Sequence, residues 1–217
     1  FNYDEMIKNE KHKNNVKHKR VIVVDFCFPK ELMETIAKTA SNFIWIDHHY
    51  TSKQQHPELW AKVEGLRSLD QAACVLTWKH FYQSEVPKVI LLLGDYDIWK
   101  FEYGDETRFF HEMAHLSIDS PTHELWKGLF DNEFVEDMVE KGAILYLAKQ
   151  QRCKWSAEGG VEGTINGYKA LFVNSNHDIS DLGNYICGLG YEVGVIYRKV
   201  KDKICVSLRS VDVDVAK

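Results

Sequence analysis

The chain has 217 residues, 45% of them apolar, enough to bury a real core as one large domain or two small ones. Its net charge of −5 excludes the global basic field of a general nucleic-acid coat, so a phosphate-bearing ligand must be held locally, by a metal or a few Lys and Arg side chains. No apolar run is long enough to span a bilayer and no secretion-type leader opens the sequence. The scattered Cys27, Cys74, Cys153, Cys187 and Cys205, without CxxC spacing, point to free thiols in a reducing, cytoplasmic setting.

Residues 8–20, KNEKHKNNVKHKR, read as a solvated loop. VIVV (21–24) is short, continuous and β-branched, which predicts a strand covered on both faces and ending at Asp25. Pro29 suits a first helical position, and Leu32, Met33, Ile36, Ala37 and Ala40 follow at helical spacing. FIWI (43–46) predicts the next buried strand, ending at Asp47. A long loop then leads to a helix within 70–83 that can place Ala73, Leu76, Thr77, His80 and Phe81 on one face. KVILLL (88–93) reads as a third buried strand ending at Gly94-Asp95.

Strand, helix, strand, crossover, strand is an α/β layout with a mostly parallel sheet. Residues 106–155 read as helical, and the long segment from 133 onward, with Asp131 or Asn132 as its N-cap, reads as a connector. Asn166-Gly167 between two short strands is a two-residue hairpin signal. A capped helix starting at Ser180 or Asp181, then YEVGVIYR and KICVSLRS as strands, complete a smaller α/β unit. The expected organisation is therefore a catalytic domain over 1–130, a helical connector over 131–157 and a second domain over 158–217, with the active cleft between the two.

Parallel strands place their carboxyl ends along one edge, and ligands of open α/β sheets bind outside that edge. All three predicted strands end in an acid: Asp25, Asp47 and Asp95. Carboxylates gathered there repel and raise one another's pKa, and a divalent cation removes the conflict. His48 and His49 follow Asp47 directly. Asp with His suits Mn²⁺, Fe²⁺ or Zn²⁺, whereas Mg²⁺ takes oxygen ligands, and the lack of cysteine argues against a structural zinc. Two such ions would activate a water and stabilise a leaving phosphoryl oxygen. Each residue alone also fits a plain strand-end cap; the set, repeated at the same end of three strands, favours the metal reading.

VIVVDFCFP, FIWIDHHYTS with LDQAACVLTWKHF, and LLLGDYDIWKF resemble the second, third and fourth motifs of the DHH phosphoesterase superfamily. NSNHDISDLGNYIC, GYEVGVIYR and VSLRSVDVDVAK resemble the C-terminal domain of its nuclease and oligonucleotide-hydrolase branch. The resemblance spans roughly residues 20–217. It implies a Mn²⁺-dependent phosphoesterase, with Mg²⁺ or Fe²⁺ as substitutes and two ions in the complete site. Asp25 would bridge the ions, His48 and Asp95 would ligate one of them, Asp47 would orient the histidines, and His49 would face the scissile phosphate. Arg209 would contact substrate from the second domain, with Ser207 beside it and His177 in a loop facing the cleft. Asp97 would support its loop with Trp99. The implied partner is a short single-stranded oligonucleotide or phosphorylated nucleotide, with a homodimer left open.

Two departures stand out. The superfamily's first motif, a His-x-Asp-x-Asp cluster, is absent: Asp4, His12 and His18 have the wrong spacing. The glycine-rich stretch that follows the SLRS region is also missing. Truncation at both ends is the expectation drawn from this, and a non-catalytic nucleotide-binding relative is the alternative. A separate match, His111-Glu112-Met113-Ala114-His115, fits the HExxH zinc-protease signature, with Glu133, Glu136 or Glu140 as a possible third ligand. It leaves the other motifs unexplained and reads as a chance match on a helix.

Overall fold

The computed structural model describes residues 16–215, in two compact units that divide between Gly142 and Ala143. Expectations placed on residues 8–15, and the candidates Asp4 and His12, lie outside the described residues. Both units combine helix and strand, so the α/β class holds in general. No described helix is long and apolar enough to cross a membrane.

In the first unit, strand β1 (Arg20–Val24) pairs in parallel with β2 (Asn42–Ile46), from Arg20 opposite Asn42 to Val24 opposite Ile46. Helix α1 (Lys30–Thr39) makes the crossover and buries Leu32, Met33 and Ile36 against Val23, Phe43 and Trp45. The chain next forms α2 (Tyr50–Gln55) and α3 (Pro57–Lys62), then returns alongside β2. There the N–H groups of Trp45 and Asp47 donate to the carbonyls of Glu64 and Leu66, at 2.8 and 3.3 Å, which adds a short parallel segment within the expected loop.

That return needs Gly65. Its φ is +118°, and a Cβ there would run into the Trp45 carbonyl. Arg67 clamps the junction. Its guanidinium donates to the carbonyls of Trp45, Trp60, Val63 and Glu64, tying the end of α3 to β2.

Two expectations fail here. β1 is not covered on both faces among the described residues: Ile22 is 45% exposed. And KVILLL is no strand. It belongs to helix α5 (Lys88–Asp97), which follows α4 (Ala73–Phe81). A short apolar run carries no periodicity to separate a buried strand from a buried helix. Pro87 sits at the N-cap, and leucine, with one unbranched Cβ, loses little freedom in a helix. Val89 and Leu92 of α5 pack with Phe110 and Ala114 of α6 (Asp105–Ser117), Leu129 of a 3₁₀ helix (Glu124–Phe130), and Val135 and Met138 of α7 (Asn132–Glu158). Where α6 meets α7 the backbones touch: a Cβ at Gly142 would overlap the Phe109 carbonyl.

The division between the units falls inside α7, whereas the expected boundary lay near residue 158. In the second unit, β3 (Val161–Ile165), β4 (Tyr168–Asn174), β5 (Val193–Val200) and β6 (Lys203–Arg209) form one mixed sheet in the order β3-β4-β5-β6. Asn166 and Gly167 both have positive φ, as a tight hairpin between β3 and β4 demands. Helix α8 (Ile179–Gly188) joins β4 to its parallel neighbour β5. Its Leu182 and Ile186 pack on Leu171, Val173 and Ile196, together with Cys153 and Ala157 of α7. All five cysteines are free thiols.

Candidate metal centre

The site begins where β1 and β2 end. Asp25 follows β1 directly, and its N–H donates to the Ile46 carbonyl at 2.9 Å, which continues the parallel ladder by one residue. Its φ of +56° lies in the left-handed region, which Asp tolerates better than most side chains.

Asp47 follows β2 and is fully buried. Its Oδ1 accepts the N–H of His48 at 2.7 Å, the N–H of His49 at 3.1 Å and the His49 ring Nδ1–H at 2.8 Å. Burial pushes the Asp47 carboxyl up. The Ser52 hydroxyl beside it, the His49 ring and the two N–H groups outweigh that, and the carboxyl sits below its ordinary range. One buried carboxylate thus fixes the backbone of the strand-to-helix turn and the tautomer of His49.

His48 Nε2 stands between two acids, 3.0 Å from Asp25 Oδ1 and 3.3 Å from Asp97 Oδ2. His49 Nδ1 is 3.8 Å from the same Asp25 oxygen, and the two imidazoles are 4.4 Å apart. Asp25 chiefly, with Asp97 and Asp47, raises the pKa of His48 despite its burial. Burial chiefly, with Asp25 adding, raises that of Asp97, while His48 pulls the other way.

One ligand atom each from Asp25, His48 and His49 falls within 4.8 Å of the others, and this is the only such trio of His, Cys, Asp or Glu among the described residues. Two imidazoles and a carboxylate, with a second carboxylate adjoining and no thiolate, fit a borderline cation such as Mn²⁺, Fe²⁺ or Zn²⁺ better than Mg²⁺. The described residues supply this donor set for one ion.

Asp95, expected as a ligand of that ion, is elsewhere. It is 5% exposed on α5 and its carboxylate is used up by protein donors: the N–H of Glu102 at 2.8 Å, the N–H of Tyr103 at 3.2 Å and the buried Thr107 hydroxyl. It ties the loop after α5 to the start of α6. Asp97, read from sequence as a second candidate or as a loop support, is the acid beside His48. The helix explains it. Residues two apart diverge by roughly 200° on a helix but share a face on a strand.

In the second unit, Ser207 and Arg209 lie two residues apart on β6 and line a hollow of about 300 Å³ with Ile179, Ser180, Ile196 and Leu208. Gly183 on α8 lets β6 come this close, since a Cβ there would meet Arg209 Cβ at 2.6 Å. His177 does not join them. It belongs to a turn in which its N–H donates to Ser175 Oγ at 3.2 Å and its carbonyl accepts from the same hydroxyl at 2.9 Å, beside Arg152 and Asp178.

His111 and His115 share a face of α6 with parallel rings 5.8 Å apart, and His111 stacks on Tyr96 at 3.4 Å. No third ligand joins them among the described residues; Glu136 lies 3.8 Å from Lys88 instead. Arg67 had no signature at the level of sequence, because its role consists of carbonyls brought together by the fold.

No protein-family model matches the chain. An uncharacterized protein of Acanthamoeba polyphaga mimivirus is 22% identical over 131 residues, which cover 60% of this chain and 30% of that protein. The chain thus spans under a third of the length of that relative. Among solved structures, an uncharacterized protein from Helicobacter pylori G27 aligns with 98% of this chain and 76% of its own, at a TM-score of 0.41 and 12% identity.

Proposed function

We propose that the chain carries the metal centre of a DHH-type phosphoesterase. It would hydrolyse, with Mn²⁺, phosphodiester or phosphomonoester bonds of short oligonucleotides or nucleotide-derived substrates. The observation that carries this reading is the convergence of Asp25, His48, His49 and Asp97 at the carboxyl ends of β1 and β2.

Asp25 and His48, two members of the trio, are the groups that would hold the ion, with the Asp97 carboxylate adjoining His48. When bound, such an ion supplies Lewis-acid polarisation of a phosphoryl oxygen. His49 has its Nδ1 proton committed to Asp47, which leaves Nε2 as the nitrogen able to pass a proton to or from the reacting phosphate. Asp47, buried and ionised, stabilises the imidazolium that such a transfer creates. In the second unit, the Arg209 fork with Ser207 beside it suits a phosphate or carboxylate of the substrate.

The test is a panel of short RNA and DNA oligomers and 3′-phosphorylated nucleotides, with and without Mn²⁺. The full-length protein should cleave at least one class only with the ion present. Asp25→Ala and His48→Ala should each weaken Mn²⁺ binding at least about a hundredfold, the upper end for loss of an outer-sphere partner alone, and abolish turnover. Full activity in the double variant would remove the reading. Binding of nucleotides without turnover in any arm would favour a non-catalytic relative.

A further inference from the structure

Several aromatic pairs of the first unit meet edge to face, among them Trp45 and Trp60 at 89° and Trp99 and Phe101 at 73°. Trp78, Tyr82 and Phe130 do otherwise. Tyr82 lies 4.2 Å from Trp78 with planes 21° apart, and Phe130 lies 6.0 Å from Trp78 with planes 29° apart. Tyr82 is 55% exposed and Phe130 58%. The indole Nε1–H of Trp78 donates to the Glu85 carbonyl at 3.0 Å, which anchors the middle ring. Edge-to-face packing fills a core; near-parallel rings left open to water present flat π faces, the surface on which planar bases stack.

Position ties this stack to the centre at the strand ends. Cys74 on α4 packs against Gly94 of α5, three residues before Asp97. Trp78 is one turn further along α4, and Tyr82, at its C-cap, lies roughly 12 Å from Cys74 along the axis. The rings therefore start near the metal centre and lead away from it. Lys127, exposed, sits three residues before Phe130 in the 3₁₀ helix, where side chains at that spacing eclipse. Its ammonium is placed to meet a phosphate passing Phe130.

We propose that Tyr82, Trp78 and Phe130 form a stacking platform for the bases of a single-stranded oligonucleotide whose backbone passes Lys127. This rests on the phosphoesterase reading and deepens it: the substrate is an oligomer, with bases beyond the scissile bond held on the platform. Proline-rich peptides also dock on exposed aromatic residues, but in grooves between rings rather than on parallel faces.

Binding of labelled penta-adenylate, followed by fluorescence anisotropy in EDTA, separates the platform from metal chemistry. Tyr82→Leu and Phe130→Leu keep apolar bulk but remove the π face, and each should weaken binding about tenfold. Tyr82→Phe should preserve it and Tyr82→Trp tighten it, a direction that loss of fold cannot mimic. Lys127→Gln should weaken binding and flatten its salt dependence. Unchanged affinity in both leucine variants overturns the platform, as does binding of a polyproline peptide where the oligonucleotide does not bind. Wild-type binding with the predicted losses, but no Mn²⁺-dependent cleavage, discards the phosphoesterase reading and leaves the platform standing. Cleavage with unchanged affinity in the variants does the reverse.

Discussion

FIWIDHH and LLLGDYD look alike as strings: an apolar run that stops at an acid. One is strand β2 and the turn that follows; the other is the end of helix α5. In β2 the run is aromatic and β-branched, it has Asn42 before it, and the acid continues the strand to the carboxyl edge of the sheet. In α5 it is leucine-rich and follows Pro87, and the helix turns its two acids apart. Asp95 goes inward to Thr107, and Asp97 goes outward to His48. The pair teaches that an acid after an apolar run marks the end of an element, while the element's periodicity decides which acid reaches the site.

The largest expected effect lies on the β2 side. Gly65→Ala would place a Cβ against the Trp45 carbonyl at a φ of +118°, and should cost about 3 kcal/mol in urea unfolding. A near-neutral result would mean that the return segment is not held against β2. It would also leave the Arg67 clamp without purpose.

The α5 side gives a paired test. Asp95→Asn keeps the shape but weakens three hydrogen bonds to a buried carboxylate, so it should lower stability by about 2 kcal/mol. Asp97→Asn should leave stability nearly unchanged and weaken Mn²⁺ binding about tenfold to a hundredfold, read by calorimetry. If Asp95→Asn instead weakened the metal and Asp97→Asn did not, the run would act as the strand that its letters suggest.

The smallest effect concerns His56, next to Trp45 of β2. Its Nε2–H donates to the Phe28 carbonyl at 3.0 Å, and burial, with Lys30 adding, lowers its pKa from the ordinary 6.5. A lowered folded pKa contributes stability that is fully present above pH 6.5 and is lost as pH falls through the folded value. Denaturant midpoints of wild type should therefore drop below that pH, and His56→Gln, which can still donate to Phe28, should flatten the drop.

Much of the candidate site was legible before any coordinates. Asp25, Asp47, His48 and His49 follow two short runs joined by one amphipathic helix, and parallel pairing brings their ends to one edge wherever the runs are strands. The hairpin at Asn166-Gly167 was equally readable, because positive φ at two successive positions calls for those residue types. Local pattern carries such information directly: period, cap and turn are properties of a few adjacent residues.

What the tertiary structure alone decided lies at longer range. It made KVILLL a helix, since a short apolar run takes its form from the neighbours it packs against, here Phe110, Leu129 and Val135. It thereby chose Asp97 over Asp95 for the centre and separated His177 from Ser207 and Arg209. It gathered four carbonyls around Arg67 and brought Phe130 to Trp78 across some fifty residues of chain. In each case the decisive quantity is the direction in which a side chain points. That direction depends on helical phase and on partners distant in sequence, neither of which a string of adjacent residues contains.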